Sequence, residues 1–247
     1  MEQTYYDSFG MNIFTNCTVN APSIYPMCET FESFVKTFDL DVSKLDLSVY
    51  IDPHPVTEQF DNFKKNLEQY FKTTHNIEPK MIKSKSLSHG YYNSIISSKK
   101  PVLVQLEHDW RTDRCSNKQL SLKQVVEIVR DHGDAVDYVK LNISNMKILH
   151  HLIMNGEFVY AKDRFDAIEI DGVVLRRVKF RANVQHVLNR EKYMEKYIDK
   201  IKINENGGSD GVEGYYENKE TSYSLDASYK FNITHLNGKK FKKHYST

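Results

Sequence analysis

Long apolar runs are missing from this 247-residue chain. No stretch approaches the roughly 18 apolar residues that a bilayer-spanning helix needs, so no transmembrane segment is expected. The opening residues, Met1-Glu2-Gln3-Thr4-Tyr5-Tyr6-Asp7, have neither the basic n-region nor the apolar h-region of a signal peptide. Cysteine is scarce. Cys17, Cys28 and Cys115 form an odd set with no C-x-x-C pair, which argues against a disulfide framework and for a reduced, cytoplasmic setting. Without a secretory signal, the sequons at Asn16, Asn142 and Asn232 are read as chance. Excess charge is also absent. Lys plus Arg number 34 and Asp plus Glu 33, a net +1, which removes the general argument for nucleic acid or an anionic membrane as partner. The run Lys239-Lys240-Phe241-Lys242-Lys243 is a local exception and reads as a solvated tail.

No internal repeat or low-complexity linker divides the chain, and 40% hydrophobic residues suffice for a substantial core, so 1–247 is read as one domain. Met11 to Val19 predicts a first strand. Phe31, Phe34, Val35 and Phe38 have helical spacing and predict a helix over Thr30 to Phe38. Leu47 to Ile51 predicts a second strand, stopped by Asp52-Pro53-His54-Pro55. Thr57 opens a helix carrying Phe60, Phe63, Leu67, Tyr70 and Phe71. Lys80 to Lys83 predicts a short strand, and Ser86 to Gly90 a helix entry continued over Tyr91 to Ser98. Val102 to Leu106 predicts a buried strand. The alternation β-α-β-α-β-α-β argues for an α/β fold with parallel strands. Beyond Trp110 the pattern loosens: a helix over Leu122 to Val129, a strand over Asp137 to Ile143, and a hairpin turning at Asp171-Gly172 within Phe165 to Phe180. A helix over Asn189 to Ile201, a glycine- and asparagine-rich loop over Asn204 to Gly211, a polar stretch without a clear period over Tyr215 to Tyr229 and a strand over Lys230 to Thr234 follow.

The densest chemistry lies in Pro101 to Trp110, P-V-L-V-Q-L-E-H-D-W. A buried strand runs straight into Glu107-His108-Asp109. In open α/β sheets ligands sit outside the carboxyl ends of the strands. Two carboxylates one residue apart at that place suit a divalent cation such as Mg²⁺ or Mn²⁺ shared with substrate phosphates. An ordinary charged loop after a buried strand is the alternative.

The segment S-L-S-H-G-Y-Y-N-S-I-I-S-S-K-K-P-V-L-V-Q-L-E-H-D-W, Ser86 to Trp110, resembles the helix-then-strand lead into the acidic D-x-D motif of GT-A glycosyltransferases. Its L-E-H-D-W form is similar to a subset that includes viral and microbial enzymes. The resemblance implies a GT-A-like (Rossmann-like), mostly parallel central sheet flanked by helices, with a more irregular C-terminal acceptor half. Residues 1–112 would be the nucleotide-sugar-binding half and 113–247 the acceptor half. It further implies that Thr15, Asn16, Asp52, Lys83, Glu107, His108, Asp109 and Trp110 contact a nucleotide-sugar donor, a UDP-sugar by preference. Lys85 shares the loop of Lys83. Asp109, Glu107 and His235 would hold Mn²⁺ or Mg²⁺, His235 lying in I-T-H-L-N-G, which is similar to a late H-x-D/N-G segment of related enzymes. Glu107 departs from the first aspartate of D-x-D, which makes Asp109 the safer ligand. In G-G-S-D-G-V-E, Gly207 to Glu213, a carboxylate would serve as base toward a glycan or other hydroxyl acceptor, Glu213 ahead of Asp210, with inversion. Asn183-Val184-Gln185-His186 is similar to an N-x-x-H element lining the acceptor side.

The function implied is a metal-dependent glycosyltransferase, hexosyl or pentosyl. The alternative is a non-catalytic carbohydrate- or partner-binding protein on the same scaffold, which the departure from D-x-D permits. A sugar nucleotidyltransferase is disfavoured, because Met11 to Asn20 contains no glycine for a triphosphate loop.

Overall fold

The structure, a computed structural model, describes residues 2–17, 23–52, 57–114, 120–141, 152–154, 157–159, 167–178, 180–181, 185–201, 214–215, 222–225 and 231–236. Its helices are α1 (Glu2–Asp7), α2 (Tyr25–Phe38), α3 (Thr57–Tyr70), α4 (Leu87–Ser97), α5 (Leu122–Asp131) and α6 (Arg190–Lys196). Its strands are β1 (Phe9–Asn16), β2 (Leu47–Asp52), β3 (Lys80–Lys83), β4 (Val102–Glu107), β5 (Trp110–Arg114), β6 (Tyr138–Lys140), β7 (Leu152–Met154) and β8 (Glu157–Val159). There follow β9 (Ala167–Ile170), β10 (Val173–Arg177), β11 (Phe180–Arg181), β12 (His186–Asn189), β13 (Gly214–Tyr215), β14 (Ser222–Leu225) and β15 (Phe231–His235).

Nine strands form one sheet in the order β3-β2-β1-β4-β12-β6-β14-β10-β9. Only β12 and β10 run against the others, so seven share a direction. The expected α/β fold, a mostly parallel sheet flanked by helices, is therefore present. The C-terminal half continues this sheet: five of the nine strands come from it. Alternation along β1 and β4 separates two faces. Met11, Ile13, Val102, Val104 and Leu106 join Phe31 and Phe34 of α2, Phe63 and Leu67 of α3, and Val125 and Val129 of α5 in the larger core. Phe14 and Leu103 point the other way and pack with Tyr91 and Ile95 of α4 and Tyr193 of α6.

Helix ends follow local chemistry. Pro26 sits in the first turn of α2, where its missing N–H costs nothing. The helix therefore starts at Tyr25, ahead of the expected Thr30. Asp39 ends it in the left-handed conformation (φ 51°). Ser86 caps α4 by accepting from His89 N, and Ser121 with Gln124 makes a capping box on α5. The helix expected over Asn189 to Ile201 is shorter. Asn189 ends β12 and caps α6 by accepting from Lys192 N, and a 3-10 turn over Ile198–Lys200 follows. Asp171 (φ 51°) and Gly172 (φ 75°) turn the β9–β10 hairpin as the sequence predicts.

Candidate functional site

Because β1, β2, β3 and β4 are parallel, their carboxyl ends meet at one edge. Asn16 lies opposite Asp52, Lys83 opposite Ile51, and Glu107 opposite Phe14. Thr15, Asn16, Asp52, Lys83 and Glu107 thus come together from segments far apart in sequence. Asp52 is half-buried and accepts from Ser84 Oγ at 2.5 Å. Burial pushes its carboxyl up to about 6, against the opposing pull of the Ser84 hydrogen bond. Ser84 is itself buried and tied down by its backbone N–H donating to Ile51 O at 2.9 Å. Thr15 is buried, 3% exposed, so it shapes the edge from within. Lys83 is exposed, with Nζ 4.8 Å from the centroid of the Phe60 ring. Lys85 N donates to His89 Nδ1 at 3.2 Å.

The acidic turn is held from several sides. His108 N donates to Phe14 O (2.9 Å), extending the β1–β4 ladder by one bond. Thr30 Oγ1 of α2 donates to His108 O (2.8 Å). Ser33 Oγ accepts from Thr112 N (3.0 Å) and Thr37 Oγ1 donates to Thr112 O (3.1 Å). The fully buried Gln185 donates from Nε2 to Trp110 O (2.6 Å) and accepts at Oε1 from Thr112 Oγ1 (2.7 Å). Leu236 N donates to Asp109 O (2.6 Å), and the β5–β15 pairing sets His235 opposite Trp110. The backbone at His235 is thereby brought beside the turn.

The chemistry of this set fits a divalent cation: carboxylates at Glu107 and Asp109, with an imidazole-bearing position alongside. Trp110 Nε1 donates to Glu107 Oε2 at 3.0 Å, so one oxygen of Glu107 already holds the indole. Asp109 Oδ1 is shielded from solvent. Among the described residues no group of three His, Cys, Asp or Glu is gathered ready for a metal. Asp210 and Glu213, like the Asn204 to Gly211 loop and the Lys239 to Lys243 run, lie outside the described residues.

The element Asn183 to His186 departs from expectation. His186 is 2% exposed and shares a 2.6 Å hydrogen bond with Tyr91 Oη between β12 and α4, so it does not line an acceptor surface. Gln185 braces the acidic turn, and Asn183 and Val184 lie outside the described residues. Sequence reasoning missed Thr30, Ser33 and Thr37. Their signal was there: hydroxyls at i, i+3 and i+7 make a stripe on a helix whose other positions are phenylalanine-rich.

No protein-family model matches the chain, and no curated protein matches its sequence. Solved structures do match. GalNAc-T7, crystallised with UDP, GalNAc and Mn²⁺, superposes over 93% of this chain with a TM-score of 0.55 at 11% identity. TarS 1–349 of S. aureus, in complex with UDP-GlcNAc, superposes over 96% with a TM-score of 0.50 at 10% identity. The chain spans 44% of the first of these chains and 62% of the second, less than two thirds of either. The likeness is one of fold, and the fold is that of GT-A glycosyltransferases.

Proposed function

We propose that this chain is a metal-dependent glycosyltransferase that takes a sugar from a nucleoside diphosphate sugar, a UDP-sugar by preference, to a hydroxyl acceptor. One observation carries the reading: the Asp52–Ser84 pair and the Glu107-His108-Asp109-Trp110 turn meet at one carboxyl edge of a parallel sheet. The fold of GalNAc-T7 and TarS, one crystallised with UDP and Mn²⁺ and the other with UDP-GlcNAc, supports it.

In this reading residues 1–112 hold the donor and 113–247 the acceptor. Ionised Asp52 accepts from the base or ribose, and Asn16 and Lys83 flank it. Asp109 and His235, with Glu107 behind them, would hold Mn²⁺ or Mg²⁺, which when bound neutralises the diphosphate leaving group. Glu107 fixes the Trp110 indole against the donor. Glu213, with Asp210 second, takes the proton of the hydroxyl whose oxygen bonds to the anomeric carbon on the face opposite the departing diphosphate, and this single displacement inverts the configuration. The bond to the diphosphate breaks through an oxocarbenium-like transition state, as in glycosyl transfer generally.

Isothermal titration of UDP with Mn²⁺ tests the site. The wild type should bind UDP only with the metal present, and Asp109→Ala should weaken binding by about tenfold or more, roughly 1.4 kcal/mol. Absent binding, or equal binding by Asp109→Ala, would refute the assignment. The rival binding-module reading draws on Glu107 already being committed to Trp110. An enzyme slowly releases UDP from its donor, whereas a binding module leaves the donor intact.

A further inference from the structure

We propose that a cavity at the opposite edge of the sheet binds a small phosphorylated molecule. The cavity measures about 490 Å³ and opens at the amino ends of β1, β2 and β3, around Gly10, Ser48 and Lys80. It lies about 20 Å along β1 from the acidic edge, at roughly 3.3 Å per residue. Its size falls within the roughly 300–1,000 Å³ of small-molecule pockets.

The charge of its lining selects an anion. Lys80, Lys99 and Lys100 stand against a single lining carboxylate, Asp46, which already pairs with Lys80 at 2.9 Å; Lys100 Nζ keeps its charge while giving one of its three protons to Asp7 O at 3.0 Å. Ser98 supplies a donor, whereas the Ser94 and Ser97 hydroxyls give theirs to Tyr91 O and Asn93 O. Ser98 Oγ accepts from Lys100 N at 3.1 Å, which leaves its own proton to give outward. Asn12 lies deeper. It is 5% exposed, and its Nδ2 has no hydrogen-bond partner among the described residues. Its register neighbour Gln105 is in the same condition at Oε1. A buried amide left unpaired is costly, and in a polar pocket it marks where an acceptor oxygen of a ligand belongs. Tyr50 and Ile82 offer an apolar wall for a carbon body.

One effect opposes an anion here. The cavity lies at the C-terminal end of α4, where the helix carries partial negative charge. Arg190 removes much of that objection. Its guanidinium donates to Ile95 O at 2.7 Å and to Ile96 O at 3.3 Å, capping the last carbonyls with a positive charge. The site thus takes a phosphate at the Lys99, Lys100 and Ser98 rim and an acceptor oxygen at Asn12. That pairing of a phosphate with an oxygen-bearing body favours a phosphate ester over free phosphate.

The test uses the full chain in EDTA, so that no metal site competes. Titration compares a panel of triose, pentose and hexose phosphates with inorganic phosphate and with glucose. At least one ester should bind about tenfold more tightly than inorganic phosphate, and glucose should not bind. The double substitution Lys99→Ala, Lys100→Ala should weaken that ester by about tenfold or more. Asn12→Leu should weaken it with no fall in melting temperature, because the change removes the unpaired amide. Binding of UDP with Mn²⁺ should be unchanged in all of these variants. If no ester exceeds inorganic phosphate, or if the double variant binds the ester equally, the proposal is wrong. Asp109→Ala, which tests the donor site, should leave ester binding intact, so the two assignments fail separately.

Discussion

Asp52 is where burial and chemistry conflict most plainly. Its folded-state carboxyl titrates near 6, above the ordinary 3.8. The folded state therefore holds the proton over a window in which the unfolded chain has released it, and stability is lost as pH rises from about 4 to about 6. The loss is at most about 3 kcal/mol. Asp52→Asn should flatten that part of a denaturation-versus-pH curve and raise the melting temperature above pH 6. Donor binding should run the other way. If ionised Asp52 accepts from an N–H of the base, UDP affinity falls by up to about tenfold per pH unit below 6, and the Asn variant should lose this dependence. Gln185 is a second test at this scale. Leucine there strands Trp110 O and the Thr112 hydroxyl, which should cost about 2 kcal/mol in chemical denaturation and weaken UDP binding. Asp52 was legible because an apolar run ends on it before a Pro-rich turn. The bracing role of Gln185 was not, since its partners lie more than 70 residues away in sequence.

Elements with a strong period were legible and those made by pairing were not. Leu47–Asp52, Lys80–Lys83 and the helices α3 and α5 have bounds close to those the sequence predicts, because apolar spacing and caps agree. β5 reads W-R-T-D-R and has no apolar alternation. It exists because β15 pairs with it and because Ser33 and Thr37 of α2 bond its backbone. β12 and β14 are four residues each and draw their stability from neighbours in the sheet. The hydroxyl stripe on α2 predicts a clean separation of effects. Thr30→Val with Ser33→Ala should leave the helical circular dichroism intact while loosening the acidic turn, seen as weaker UDP binding in the presence of Mn²⁺. By contrast, Ser121→Ala at the α5 cap should cost about 1 kcal/mol of stability and nothing in UDP binding.

Across the whole molecule, one sheet carries both halves, and its direction decides where chemistry gathers. Seven co-directional strands aim β1, β2, β3 and β4 at one edge, where Asp52, Ser84, Glu107 and Asp109 meet. The parallel order of the first half could be read from the alternation of strand and helix. The position of β12 between β4 and β6 could not, because pairing across the sheet leaves no mark on either strand alone. The most direct measurement is release of free UDP from a panel of UDP-sugars, with and without Mn²⁺. One donor should be hydrolysed slowly, only with the metal, and not by Asp109→Ala. If no donor is turned over in the panel, or if turnover is the same without metal and in Asp109→Ala, then the acidic edge is not a glycosyl-transfer site.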